Sequence, residues 1–327
     1  MKVSILGAGS WGTALSIHLA RAGHEVVLWA RDSTVALGIE TQRRHTRRYT
    51  EMMIPASVHA TSSLAEACES GEVLVLSVPC ASFRTVLEAA PRLNPGRRIL
   101  STAKGLEPDT GKRMSEIIRE YSSGALVGVL SGPTFAQGVV RGDPTAAVVA
   151  DSGEGMARQI QQSFSSPLFR LYSSEDLAGV ELCGALKNVV AIAAGIVSGL
   201  GYGHNTLAAL VTRGLAEIGR IVRGKGGQAR TVAGLAGIGD LMLTCTGKQS
   251  RNRSLGEEIG KGRKLSEVLM EMPEVAEGAR TCLAVPKLAA EVGVEVPIAE
   301  AVVHVLYDAV DPATAVETLM TRTLRAE

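Results

Sequence analysis

The sequence predicts an α/β chain in which an open, doubly wound parallel sheet is followed by an all-α domain. Three observations predict this. Short apolar runs alternate with helix-period segments from the first residues to about Tyr172, the pattern of successive βαβ units. From Ser174 onward the apolar spacing is helical and no strand signal returns. The first strand also ends in a glycine turn that opens a helix, at Gly7-Ala8-Gly9-Ser10-Trp11-Gly12.

That opening unit, Lys2 to Asp32, reads as strand, glycine turn, helix and strand. Val3, Ile5 and Leu6 form the first apolar run, the helix stops at Gly23, and Val26 to Ala30 form the second run. A GxGxxG match is weak evidence in a chain with 36 glycines, but here it follows a strand and opens a helix. In that context Gly7 allows a tight turn, Gly9 lets backbone approach a pyrophosphate, and Gly12 lets the helix pack close to the strand. The helix N–H groups then face the anion. The chain is therefore expected to bind a dinucleotide in a Rossmann-type domain.

At the end of the second strand, where a ribose 2′-OH or 2′-phosphate is read, stand Arg31 and Asp32. Arg31 suits a 2′-phosphate and Asp32 a 2′-OH, so the cofactor is NADPH or NADH. Arg43, Arg44, His45, Arg47 and Arg48 form a basic cluster ending at Tyr49, either a solvated face or a contact for phosphate or an acidic partner. Ser63 and Glu66 form a capping box for a short helix ending at Gly71. Glu72 to Val78 is a third strand ending at Pro79, and Phe83, Val86, Leu87 and Ala90 mark the helix after it. Arg98 to Ala103 is the fourth strand, with Lys104-Gly105 directly at its end, where a cofactor or substrate anion would be met. A helix over Ser115 to Glu120 leads to a fifth strand, Leu126 to Leu130. Gly132 and Thr134 follow, able to offer N–H and hydroxyl donors to an oxyanion. Two further apolar runs, Ala146 to Ala150 and Leu168 to Tyr172, flank another helix.

The change of periodicity divides the 327 residues into a dinucleotide-binding domain, 1–178, and an all-helical substrate domain, 179–327. Gly224 to Gly227, Gly237 to Gly239 and the Pro273 region read as breaks between helices. A net charge of +1 gives no support for a nucleic-acid partner. The five cysteines are scattered, with neither disulfide nor zinc spacing, so no metal is expected and a reducing cytoplasm is. The start is broken by glycines and is not read as a signal peptide. Val189 to Leu200 is too short for a membrane span and reads as a core helix. The helical domain offers apolar surface for a homodimer.

Three groups in the second domain can carry chemistry. Lys187 is the only charged side chain between Glu181 and Arg213, and its helical neighbours Cys183, Gly184, Val190 and Ala191 are small or apolar. Such a lysine pairs with an anion or loses its proton more easily, which suits it to acid–base work near neutral pH. Asp240 is the only charge between Arg230 and Lys248 and is a candidate partner. Ser250-Arg251-Asn252, ahead of a second capping box at Ser254 and Glu257, gathers the hydroxyl, guanidinium and amide that a phosphate calls for.

Seven blocks in order resemble bacterial NAD(P)-dependent sn-glycerol-3-phosphate dehydrogenase. They are Gly7 to Gly12, Ser101 to Glu107, Leu130 to Ala136, Ala185 to Val190, Gly239 to Thr246, Ser250 to Asn252, and Val275 to Gly278. The resemblance implies that Lys187 donates and accepts the proton, with Asp240 beside it. It implies substrate contacts from Lys104, Gly132, Thr134, Lys187, Asp240, Ser250, Arg251 and Asn252. Cofactor contacts would come from Ser10, Trp11, Arg31, Lys104, Ala136, Arg251, Val275 and Glu277, besides the glycines. It further implies a phosphorylated small-molecule substrate, dihydroxyacetone phosphate, held between the domains, and glycerol 3-phosphate supplied to phospholipid synthesis in the cytoplasm. Two features depart from the family: the basic segment Arg43 to Ile54, and His204 where an acid is expected.

Overall fold

The computed structural model describes residues 1–272 and 276–324. The chain divides into two compact units: Met1–Ala103 with Met114–Leu177, and Lys104–Arg113 with Ala178–Glu327.

Unit 1 is a sheet with helices. In chain order its elements are β1 Lys2–Leu6, α1 Ser10–Arg21, β2 Glu25–Trp29, α2 Ser33–Gln42, β3 Val58–Thr61, α3 Leu64–Ser70, β4 Val73–Leu76, α4 Cys80–Ala89 and β5 Arg98–Ser101. Then follow α5 Met114–Tyr121, β6 Leu126–Ser131, α6 Ala136–Arg141, β7 Thr145–Ala150, α7 Met156–Phe164 and β8 Phe169–Ser174. The eight strands lie in the order β3-β2-β1-β4-β5-β6-β7-β8. The central strand β4 carries no polar face: Val73, Leu74, Val75 and Leu76 are all buried, as a parallel strand covered on both sides requires. The order reverses between β1 and β4, so the crevice at their carboxyl ends is the ligand position of an open α/β sheet.

The sheet departs from the all-parallel expectation at one edge. β1 to β6 pair in parallel, but β7 pairs antiparallel with β6, and β8 is parallel to β7. The cause is the short connection. A six-residue α6 rises roughly 9 Å, whereas six-residue strands span roughly 20 Å, so α6 cannot return the chain to the far edge. Gly142, left-handed at φ 84°, turns it straight back into β7. Strand β3 carries no sequence signal of its own. It is a four-residue edge strand held by the Glu40 carboxylate, which accepts from the Ala60 N–H at 3.0 Å and pairs with His59.

Unit 2 is helical: α8 Leu177–Gly199, α9 His204–Gly224, α10 Ala229–Val232, a π-helical turn Leu235–Gly239, α11 Asp240–Thr246, α12 Arg251–Gly260, α13 Leu265–Glu271, α14 Glu277–Glu291, α15 Pro297–Tyr307 and α16 Pro312–Met320. The α8 helix is long and apolar enough to cross a membrane, yet its apolar window is wholly buried, and it forms the middle of this core. It meets α12 at backbone distance. A Cβ on Gly195 would lie 2.0 Å from the Arg253 carbonyl oxygen, and one on Gly256 would lie 2.0 Å from that of Ile192. Only glycine permits this crossing, and it fixes the start of α12 relative to α8.

Three expectations are corrected here. Gly237 to Gly239 do not break the helix; they form the π turn that runs directly into α11. Ser254 is no cap, because α12 already begins at Arg251, and Ser250 caps it by accepting from the Arg253 N–H at 3.2 Å. Ser63 does cap α3, accepting from the Glu66 N–H, but the Glu66 carboxylate takes the Thr61 hydroxyl at 2.6 Å instead of closing the box. The Pro273 region lies outside the described residues.

Candidate active site

In unit 2 the central group is Lys187, on the face of α8 that looks into the core and only 5% exposed. Its ammonium donates to Asp240 Oδ1 at 2.9 Å and to Thr244 Oγ1 at 2.6 Å. Asp240 and Thr244 are one helical turn apart on α11, so both face the same way. The Thr244 hydroxyl is held as an acceptor because its own proton goes to the Asp240 carbonyl oxygen at 2.6 Å. An ammonium has three N–H bonds, so the third is the one a substrate oxygen would accept.

The other oxygen of Asp240 belongs to a second lysine. Lys104 Nζ donates to Oδ2 at 2.8 Å, so one buried carboxylate, 1% exposed, bridges two ammonium groups. Burial lowers the Lys187 pKa to about 8; Asp240 opposes the shift and Lys104 adds to it. A lysine so poised changes protonation near neutral pH, as acid–base catalysis demands.

Lys104 is present in this unit because the segment Lys104–Arg113, which follows β5, packs with the helices. Asn188, next to Lys187 on α8, donates from Nδ2 to the Lys104 carbonyl oxygen at 2.7 Å. Arg113, at the other end, pairs with the buried Glu181 at 3.1 Å, and Leu106 joins the helical core. The single boundary expected near 178 does not separate this segment. Thr244 and Asn188 carry no role in the sequence analysis, although the i,i+4 spacing of Asp240 and Thr244 is a signal for the first.

At the start of α12, Ser250 is buried as the cap, and the Asn252 side-chain oxygen accepts from the Gly278 N–H at 2.9 Å. A Cβ on Gly278 would lie 2.6 Å from the Asn188 carbonyl oxygen, so the start of α14, with Glu277 as its first residue, is pressed against α8. Arg251 is exposed at the first position of α12. Arg253 is a structural residue, bonded to Glu257 and Ser198. Val275 lies outside the described residues.

Unit 1 carries the glycine turn. Gly7, at φ 118°, follows β1, and a Cβ there would lie 2.6 Å from the Ser77 carbonyl oxygen. One on Gly12 would lie 2.0 Å from the Gly7 carbonyl oxygen. Gly9 differs: its φ is −75° and a Cβ would meet nothing within 4 Å, so neither conformation nor internal packing calls for glycine there. Glycine there leaves room for an external group to approach the backbone, and Gly9 as N-cap has no side chain to cover the N–H groups of α1. The residues fit a dinucleotide pyrophosphate. Ser10 and Trp11 open α1, Ala136 opens α6, and Arg31 is exposed past β2. Gly132, at φ 134°, and Thr134 follow β6, the Thr134 hydroxyl donating to the Gly132 carbonyl at 3.3 Å. Asp32 is engaged as the cap of α2, accepting from the N–H and hydroxyl of Thr34, and pairs with Arg47.

Comparison with known proteins bears on both units. The model of the NAD-dependent glycerol-3-phosphate dehydrogenase N-terminus matches residues 2–157, and that of its C-terminus matches residues 176–317. The chain belongs to the NAD-dependent glycerol-3-phosphate dehydrogenase family. A relative from Geobacter metallireducens named glycerol-3-phosphate dehydrogenase [NAD(P)+] is 46% identical, over 100% of this chain and 98% of its own length. The crystal structure of glycerol-3-phosphate dehydrogenase from Coxiella burnetii matches with a TM-score of 0.93 at 36% identity, covering 98% of this chain and 99% of that one. A ketopantoate reductase from Ralstonia eutropha shares the fold alone, with a TM-score of 0.59 at 16% identity, over 97% of this chain and 98% of its own.

Proposed function

We propose that the chain interconverts dihydroxyacetone phosphate and sn-glycerol 3-phosphate with NADH or NADPH, and that Lys187 is the proton donor and acceptor. The observation that carries this reading is the buried Asp240 carboxylate with Lys187 on one oxygen and Lys104 on the other. The arrangement leaves a net positive cluster in a dry core, the setting that binds a phosphorylated substrate and stabilises a developing alkoxide.

A bound reduced nicotinamide supplies the hydride that the C2 carbonyl carbon receives. Lys187 gives its third N–H proton to the carbonyl oxygen, so the product leaves as an alcohol and the amine is left neutral. In the reverse direction the neutral amine takes that proton back. Asp240 and Thr244 hold Nζ in place for both, which is positioning and lowers the barrier without new chemistry. Ser250, Arg251 and Asn252 supply phosphate contacts, with Lys104, Gly132 and Thr134 on the rest of the substrate. Ser10, Trp11, Arg31, Ala136, Arg251, Val275 and Glu277 hold the cofactor. The enzyme works in the cytoplasm, and its product supplies glycerophospholipid synthesis.

The test is cofactor oxidation followed by absorbance with dihydroxyacetone phosphate, with ketopantoate and with no substrate. Turnover with dihydroxyacetone phosphate alone supports the reading. Turnover with ketopantoate instead would make the chain a 2-keto-acid reductase, and cofactor binding without turnover would make it a sensor.

A further inference from the structure

The basic segment after α2 has no role in the function proposed above, and only part of it is a solvated face: Arg44 and Arg47 are exposed, whereas Arg43 and Arg48 are half-buried and His45 is buried. Arg43 is turned inward, donating to the carbonyls of Ile54, Pro55 and Val58. Arg44 donates to the Thr50 carbonyl at 2.7 Å. Three others reach the glycine turn. His45, 2% exposed, bonds the Ala8 carbonyl through Nε2 at 2.9 Å. Arg48 donates from Nη1 to the Ser10 hydroxyl at 2.6 Å, and Tyr49 donates to the Ser10 carbonyl at 3.4 Å.

His45 sets the position of Arg48. Its Nδ1 accepts from the N–H groups of Arg47 and Arg48 at 3.1 and 3.2 Å, so the ring proton is on Nε2 and is donated to Ala8. Burial lowers its pKa and keeps the ring neutral. One imidazole thus ties the segment to the turn at both ends. The two following arginines diverge: Arg47 goes to Asp32 past the end of β2, and Arg48 goes to the first turn of α1.

We propose that Arg48 is a cofactor-binding residue whose guanidinium binds the diphosphate bridge common to NADH and NADPH. This rests on the dinucleotide-binding part of the function proposed above. The place already favours an anion, since α1 has no acidic residue in its first turn and Gly9 presents bare backbone. A guanidinium fixed on Ser10 adds a full charge and a planar donor fork suited to phosphate oxygens. The location separates it from Arg31 and Arg47, which stand at the ribose end of the second strand.

The test is direct titration of the full-length protein with NADH and with NADPH, followed by cofactor fluorescence without substrate. Arg48→Gln keeps a donor for Ser10 and removes the charge; it is expected to weaken both cofactors by about tenfold or more and to reduce the salt dependence of binding. Arg48→Lys is expected to recover much of that loss with the salt dependence restored. Unchanged affinities in Arg48→Gln would overturn the assignment. So would a loss confined to NADPH, which would place the guanidinium at the 2′-phosphate. Equal losses in both variants with lowered melting temperatures would make Arg48 a structural brace only. A wild-type protein that binds neither cofactor would remove the dinucleotide reading itself, a result distinct from any of these.

Discussion

Thr244 stands 2.6 Å from the Lys187 ammonium and cannot turn away, because its hydroxyl proton is committed to the Asp240 carbonyl one turn earlier in α11. A hydroxyl so fixed accepts from the charged amine and favours its protonated form. Thr244→Val keeps the shape and removes the acceptor. Turnover is expected to fall about tenfold or more, with the basic limb of the reduction profile moved to lower pH. Thr244→Ser should retain both. A valine variant with an unmoved limb would separate Thr244 from the amine.

The lowered Lys187 pKa sets opposite pH dependences for the two directions. Reduction needs the ammonium, so its kcat should fall as pH rises through about 8; oxidation needs the neutral amine, so its kcat should rise through the same value. Profiles at saturating substrate and cofactor check this. Limbs running the same way would assign the proton to another group.

Glu217 gives a stability prediction away from the chemistry. Its carboxylate, on α9, accepts from the N–H groups of Ile298 and Ala299 at the start of α15, yet burial raises its pKa from 4.5 to about 7. The folded-state pKa lies above the unfolded value, so the folded protein binds the proton more tightly. Stability from this group is therefore present below 4.5 and lost as pH rises to about 7, on the order of 3 kcal/mol. Glu217→Gln should flatten the unfolding free energy over that window, measured by urea denaturation at stepped pH. A variant with the wild-type slope would assign the dependence elsewhere.

The parts of the fold and site legible in the sequence were those with local causes. The glycine turn announces itself because conformation, close packing and backbone access each demand glycine at a fixed spacing. Lys187 and Asp240 stand out because each is a lone charge in a long apolar stretch, and a buried charge needs a partner. What was not legible depends on distant packing. Nothing in Lys104–Arg113 marks its departure to the helical unit; that depends on Asn188, Glu181 and the core seat of Leu106. Strand β3 is held by Glu40 from α2, and the reversal at β7 by the brevity of α6. In the basic segment the inward turn of Arg43 and the burial of His45 are not legible, because their carbonyl acceptors, at Ile54, Pro55, Val58 and Ala8, are backbone and leave no trace in residue type.

The central claim is that Lys187 moves the proton, and Lys187→Met tests it most directly, because methionine keeps the length and apolar stem while Asp240 retains Lys104. Single-turnover reduction of dihydroxyacetone phosphate should slow by about 10² to 10⁴, with the dissociation constants of NADH and NADPH unchanged. Reduction at near wild-type rate, with the cofactor bound normally, would contradict the account.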